Sequence, residues 1–320
     1  MTFAGSADRV ESRLVPEAGF ELDTFNISGI PRRLGPELPQ ALRQAATAPF
    51  ACSRILARRR PDVVLGGGGY VAGPMVLAAW LRRIPAAITE ADAHLGLANR
   101  LAVPFSKRVF LAYELYERRS AKYQVVGRAI PAAHRGATRS EGRRQFGLPA
   151  DGPVVAVFGA LAGARSLNEM AVEAWGVAGP AVLHISGERD YESLRPRVQR
   201  PDYVLVPQTD HFAAALAAAD IAVSRAGGTV WELAAAGTPS ILVPYPHATA
   251  DHQTLNAQHF ERGGGAVVVQ DSELARIPAL AAELLADPTR CVEMRDAMLS
   301  LARPDAGEEI AEELIRLASS

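Results

Sequence analysis

The sequence predicts an α/β protein of two doubly wound, parallel-sheet domains with a cleft between them, on three observations. Its 320 residues exceed one ordinary core, at about 150 residues per domain. Short apolar runs alternate throughout with Ala- and Leu-rich stretches of helical length, the pattern of parallel strands covered by helices on both faces. The segment from Ile130 to Gly152, rich in Arg, Gly, Ala and Pro, interrupts that alternation and reads as a linker.

The elements can be taken in order. A strand starts near Thr2, and Pro61–Leu65 is a second, ending at four consecutive glycines, Gly66–Gly69. A helical stretch covers Gly73–Leu81, followed by strands at Pro85–Thr89, Val109–Leu111 and Tyr123–Val126. The second half repeats the scheme with Val154–Phe158, Ala181–Ile185, Tyr203–Val206, Ile221–Val223 and Ser240–Val243. Ligands of such sheets bind beyond the carboxyl ends of the strands, so the informative residues are those that follow each strand.

Composition removes several classes. With 48% hydrophobic and 22% charged residues the chain is globular rather than disordered. Its longest apolar run, Val154–Ala164, falls well short of the roughly 18 residues that span a bilayer. Met1 leads into Thr2-Phe3-Ala4-Gly5, which is no secretory signal, and Cys52 and Cys291 cannot build a disulfide framework; the chain reads as cytoplasmic. The net charge of −1 conceals an asymmetry: residues 1–127 hold 17 basic and 11 acidic side chains, the remainder 17 and 24. A basic first half fits an anionic partner, a membrane surface or phosphates. It equally fits a solvated face in an Arg-preferring sequence, since 32 of the 34 basic residues are Arg.

Four loops carry polar chemistry. Gly66–Gly69, with Tyr70, follows a strand and opens a helix, where bare amides and the helix dipole favour phosphate. Four glycines exceed what a packing turn requires. Glu90 and Asp92 follow the next strand, with Asn99 beyond; two carboxylates there can act as a general base or hold a hydroxyl, or Asp92 can simply cap a helix. Ser224-Arg225-Ala226-Gly227-Gly228-Thr229-Val230-Trp231-Glu232 combines exposed amides for phosphate with a carboxylate for a ribose diol. Pro244–Ala257, containing His252 and Gln253, is dense in groups that bind hydroxyls. His252 and His259 share a helix face without an evident third ligand, so zinc is not favoured. A dinucleotide fingerprint can be read at Gly67-x-Gly69-x-x-Ala72 with Glu90, but such a fingerprint belongs on the first βα turn of its domain, and this one is elsewhere.

Together these blocks resemble the MurG family. The matching pieces are Ala7–Glu11 with Leu14–Pro16, Ile27–Gly29, Pro61–Pro74, Glu90–Asn99, Gly163–Asn168, Ser224–Gly237 and Pro244–Ala257, which cover nearly the whole chain. The resemblance implies a GT-B fold of two Rossmann-like domains with an interdomain cleft: residues 1–129 facing acceptor and membrane, 130–303 binding UDP-sugar, and a helix over 304–320 packing back on the first domain. It implies an inverting hexosyltransferase that moves GlcNAc from UDP-GlcNAc to lipid I, forming lipid II for peptidoglycan. By the same analogy Gly227, Gly228 and Thr229 hold the donor diphosphate, Glu232 the ribose, and His252 and Gln253 the GlcNAc hydroxyls, with Arg225 and Gly163 also among the donor-binding residues. Gly67, Gly68, Gly69, Tyr70 and Asn99 face the acceptor, and Glu90 and Asp92 are the available bases. No tightly bound cofactor is implied, only free Mg2+ as a possible companion of the substrate. The partners implied are UDP-GlcNAc, lipid I and the anionic cytoplasmic leaflet, to which the protein attaches peripherally, and no nucleic acid. Arg54, Arg58, Arg59, Arg60, Arg82 and Arg83, with Phe50, Ile55 and Trp80, are candidates for that attachment.

Two departures from the family's pattern stand out. The family opens with a strand, a Gly-Gly-Thr-Gly-Gly-His loop and a helix, a unit of about 30 residues, ahead of the strand that here begins near Thr2. That strand would be central in the first sheet, and its loop carries a candidate catalytic histidine. The family's Gly-Gly-Ser-x-Gly-Ala loop reads Gly159–Ala164 here, with Leu161 in place of a serine, a change on the scale of one hydrogen bond, about 1 kcal/mol. The alternatives that follow are an impaired or non-catalytic UDP-sugar-binding remnant, a GT-B enzyme with another lipid acceptor, or a UDP-sugar epimerase.

Overall fold

The computed structural model describes residues 1–29, 38–115, 120–134, 136–159 and 163–319, which divide into two units, 1–126 with 308–320, and 127–307. In the first, β1 (Phe3–Gly5), α1 (Glu11–Glu17), β2 (Leu22–Thr24), α2 (Leu38–Arg59), β3 (Val64–Gly66), α3 (Gly69–Leu81), β4 (Ala86–Glu90), α4 (Leu97–Ala102), β5 (Arg108–Leu111) and β6 (Tyr123–Val125) follow one another. The strands are parallel but form two sheets, β1-β2 and β3-β4-β5-β6. Ala4, Phe25 and Ile27 share a core with Val64, Val76, Ile88 and Val109, so the two sheets are joined through side chains and not through a hydrogen-bonded ladder.

The second unit holds α5 (Arg139–Phe146), β7 (Val154–Phe158), α6 (Arg165–Trp175), β8 (Ala181–Ile185), α7 (Glu188–Leu194), β9 (Tyr203–Val206), α8 (Phe212–Ala218), β10 (Ile221–Ser224), α9 (Val230–Ala236), β11 (Ser240–Leu242), α10 (His252–Arg262), β12 (Ala266–Val268), α11 (Ile277–Leu285) and α12 (Pro288–Leu301). Its six strands form one parallel sheet in the order β12-β11-β10-β7-β8-β9. Every residue of β7 and β10 is buried, as unbroken apolar runs in a doubly covered sheet must be. The direction of winding reverses between β7 and β10, which places the crevice of the unit beyond Phe158 and Ser224. A final helix, α13 (Ala306–Ala318), belongs mostly to the first unit: Ile310 packs with Ala87, Phe110 and Val126, and Arg108 Nε donates to Glu313 Oε1 at 2.6 Å.

The expected linker over Ile130–Gly152 is corrected by the structure. Most of it is built into the second unit, because α5 has a Thr138–Glu141 capping box and buries Arg143. The Arg143 guanidinium donates to the carbonyls of Ala218, Pro149, Ala150 and Gly152 and to Asp220, and Gly142 lies so close to α8 that a Cβ would meet Ala214 O at 2.2 Å. An Arg-rich composition looked like solvated chain, whereas one of those arginines is a buried cross-link.

Candidate functional site

The loop after β10 is fixed from below before it offers anything to a ligand. Arg225, 8% exposed, turns inward: it donates to Val243 O at 3.3 Å, Pro244 O at 3.2 Å and Ser166 Oγ at 2.6 Å, and pairs with Asp271 at 2.7 Å. Arg225, expected among the donor-binding residues, has its donors engaged inside the protein, the arrangement of a residue that positions the loop. Asn256 on α10 donates to Ala226 O at 3.1 Å, and Gln253 accepts from Tyr245 N at 2.9 Å while its Nε2 faces Gly227. Gly227, Gly228, Thr229 and Gln253 are thus brought together, each partly exposed. His252, half-buried at the start of α10, uses Nδ1 on Thr249 O at 2.7 Å.

Glu232 already has a partner. Its Oε1 is paired with Nδ1 of His134, whose ring packs on Phe212 at 5.6 Å between centroids, and Phe212 packs in turn on Phe158 at 5.3 Å. His134 escapes sequence reasoning because it lies 98 residues from Glu232, in a segment read as linker.

Gly163 meets the same crevice from β7. Its φ of +75° calls for glycine, and a Cβ there would lie 2.1 Å from Ser186 O. Behind it, buried His184 donates from Nε2 to Asn168 Oδ1 at 2.9 Å and accepts at Nδ1 from Tyr203 Oη at 2.8 Å, while Asn168 Nδ2 donates to Ser186 O at 2.9 Å and Asp190 Oδ2 at 3.0 Å. Burial pushes His184 down to about 3, so it is neutral at physiological pH; Arg189 holds Asp190 down to about 2. Leu161 lies outside the described residues.

In the first unit, four adjacent glycines turn out to have different reasons. A Cβ on Gly66 would crowd Val76, Ala72 and Ile88 at 3.0–3.2 Å, and Gly68 and Gly69 have φ of +93° and +68°. Gly67 has neither constraint and is exposed, leaving its backbone open to a ligand. Glu90, 8% exposed, accepts from Asp92 N at 3.3 Å, Gly96 N at 2.9 Å and Asn99 Nδ2 at 2.9 Å. With both carboxylate oxygens accepting hydrogen bonds, Glu90 holds the 90–99 loop together. Asn99 also donates to Thr89 O at 3.1 Å and stands behind Gly68, with its Oδ1 buried and without a hydrogen bond among the described residues. Tyr70 accepts from Arg9 Nε at 2.8 Å, and Asp92 is partly exposed.

Of the arginines expected at a membrane, Arg58 and Arg59 are paired with Asp23, and Arg59 also with Glu21, so they fasten α2 to β2. Ile55 packs against the core. Phe50 and Trp80 are exposed, as are Leu81, Leu97 and Leu101, while Arg54, Arg60, Arg82 and Arg83 remain on the surface. Among the described residues no helix is long and apolar enough to cross a membrane, and no cluster of His, Cys, Asp and Glu could hold a metal ion.

Two parallel-sheet units, one with a glycine loop and a carboxylate at its switch point, have the architecture of the GT-B class of glycosyltransferases. Comparison with known proteins narrows this. Residues 2–111 match the glycosyltransferase family 28 N-terminal domain and residues 154–310 the glycosyltransferase family 28 C-terminal domain. The chain is 37% identical to a Salinibacter ruber protein (99% of this chain, 88% of the relative) and 38% identical to one from Acidothermus cellulolyticus (98% and 88%). Both relatives are named UDP-N-acetylglucosamine--N-acetylmuramyl-(pentapeptide) pyrophosphoryl-undecaprenol N-acetylglucosamine transferase. The crystal structure of Acinetobacter baumannii MurG superposes with a TM-score of 0.76 at 25% identity, over 98% of this chain and 90% of that one. The calicheamicin glycosyltransferase CalG4 shares the fold, with a TM-score of 0.67 at 17% identity over 98% and 90%. The chain belongs to the MurG family of glycosyltransferases, as the motifs had implied, and these relatives do not favour the remnant alternative.

Proposed function

We infer that this chain transfers GlcNAc from UDP-GlcNAc to undecaprenyl-diphosphate-linked MurNAc-pentapeptide, making lipid II for peptidoglycan. The observation that carries the reading is identity of 37–38% to transferases of that name over nearly the whole chain, spanning both halves. In this reading the amides of Gly227 and Gly228, with Thr229 and the Gly163 loop, hold the donor diphosphate. Glu232 takes the ribose diol, and His252 and Gln253 the sugar hydroxyls. Gly67, Gly68, Gly69, Tyr70 and Asn99 receive the acceptor. The acceptor hydroxyl attacks the anomeric carbon from the face opposite UDP, with inversion, and Asp92 is the base we assign, Glu90 being engaged in its loop. No resident cofactor enters; free Mg2+ would accompany the diphosphate from solution. Nucleic acid has no part in the reading.

Replacing Glu232 with Ala tests it. UDP-GlcNAc affinity, measured by calorimetry, should fall by roughly 10- to 100-fold, the scale of hydrogen bonds to a charged group. Unchanged affinity would remove Glu232 from the ribose site.

The acceptor is lipid-linked, so the first unit should meet the cytoplasmic face of the membrane peripherally. Exposed Phe50, Trp80, Leu81, Leu97 and Leu101, with Arg54, Arg60, Arg82 and Arg83, support that placement. Sedimentation with vesicles should increase with the fraction of anionic lipid; binding indifferent to lipid charge would sink it.

A further inference from the structure

The segment that opens the second unit runs along the loop of residues 227–232. A Cβ on Gly127 would lie 3.3 Å from Cζ3 of Trp231, and His134 reaches Glu232. Between them, a Cβ on Gly228 would lie 2.0 Å from Arg128 Nη1, 2.1 Å from its Cζ and 2.6 Å from its Nη2. Gly228 lacks the positive φ that would by itself demand glycine, and a side chain there would have to displace the Arg128 guanidinium. The guanidinium lies directly over the bare Cα of Gly228.

Among the described residues that guanidinium has no polar partner. Arg225 has its donors engaged by Asp271, Ser166 and two carbonyls, whereas Arg128, partly exposed, makes no hydrogen bond or ion pair with another described residue. Arginine keeps its charge at any physiological pH and offers a planar fork of donors that matches phosphate oxygens. A cation without a hydrogen-bond or ion-pair partner among the described residues, held against a glycine loop, suits an anion from outside the chain, and a diphosphate laid along Gly227 and Gly228 would come within its reach.

We propose that Arg128 binds the diphosphate of the nucleotide donor and stabilises the departing nucleotide, a residue-level assignment that rests on the donor reading above. In the transfer, the bond between the anomeric carbon and the β-phosphate oxygen breaks and its electron pair goes to that oxygen. The acceptor oxygen bonds to the anomeric carbon, and its proton passes to the base. Arg128 meets the charge that grows on the leaving oxygen, an interaction strengthened in the transition state.

The test is calorimetric titration of the full chain, as parent, Arg128→Ala and Arg128→Lys, with UDP-GlcNAc, UDP and uridine. Uridine lacks the phosphates and reports whether the variant's site is still folded. Arg128→Ala should weaken UDP and UDP-GlcNAc by roughly 10- to 100-fold and leave uridine unchanged, and Arg128→Lys should recover only part of the loss, because a point charge replaces a fork. Unchanged UDP affinity, or an equal loss for UDP and uridine, would overturn the assignment alone. Failure of the parent chain to bind UDP-GlcNAc would overturn the donor reading and the assignment with it.

Discussion

The two units carry their glycine loops in different settings. Gly227 and Gly228 follow β10, an inner strand hydrogen-bonded on one side to β7 and on the other to β11. Gly66–Gly69 begin at the last residue of β3, which among the described residues pairs with β4 alone. A loop on an inner strand inherits its position from the ladders on both sides, so side-chain ties such as Arg225–Asp271 and Asn256–Ala226 refine a place already fixed. A loop on an edge strand has one ladder, and its position depends more on side chains. Glu90 from β4 and Asn99 from α4 supply that support through the hydrogen bonds that tie the 90–99 loop to β4.

This contrast can be broken from either side. The largest effect is expected from Arg225→Ala, which strands Asp271 and several carbonyls and should lower the stability of the second unit by about 2 kcal/mol. Calorimetric unfolding should show the transition stabilised by UDP moving down while any separate first-unit transition stays; an unmoved nucleotide-sensitive transition would refute the positioning role. Next comes Glu90→Gln, which keeps the size but weakens the acceptance of three hydrogen bonds, costing about 1 kcal/mol. Transfer rate should drop modestly; a loss of roughly thousandfold at retained stability would restore Glu90 as the base. The smallest effect near neutral pH involves His184. The unfolded chain protonates it below its ordinary value of 6.5, the folded chain only near 3, so unfolding takes up a proton in that window. Its contribution to stability is full above 6.5 and is lost as pH falls toward 3. His184→Gln should flatten the decline of melting temperature between those values, and a slope identical to the parent's would show that other groups dominate.

Much of the fold was legible in the residues. Val154–Phe158 and Ile221–Ser224 are apolar at nearly every position because both faces of their sheet are covered, and such runs read as parallel strands without further help. The loops were legible for a related reason, since ligands gather where those strands end and glycines and polar residues cluster there. What misled was composition without contacts. The arginines of 139–144 looked like solvated linker, yet Arg143 is buried against five acceptors. Arg225 and Glu90 stood in loops where chemistry was expected, and both are turned to internal partners. Residue type states what a side chain can bond to, and only the surroundings state which bond it makes.

The sequence by itself therefore determined the class of fold and the places of most of its strands along the chain, because hydrophobic periodicity and turn residues act over short separations. Tertiary structure alone decided the strand order that puts β10 beside β7, the division of the first unit into sheets of two and four strands, and the meeting of His134 with Glu232 and of Arg128 with Gly228. The last two pairs are about a hundred residues apart, and no local pattern encodes contacts at that range. They exist because packing the start of the second unit against α9 leaves one space for a guanidinium and one carboxylate within reach of an imidazole.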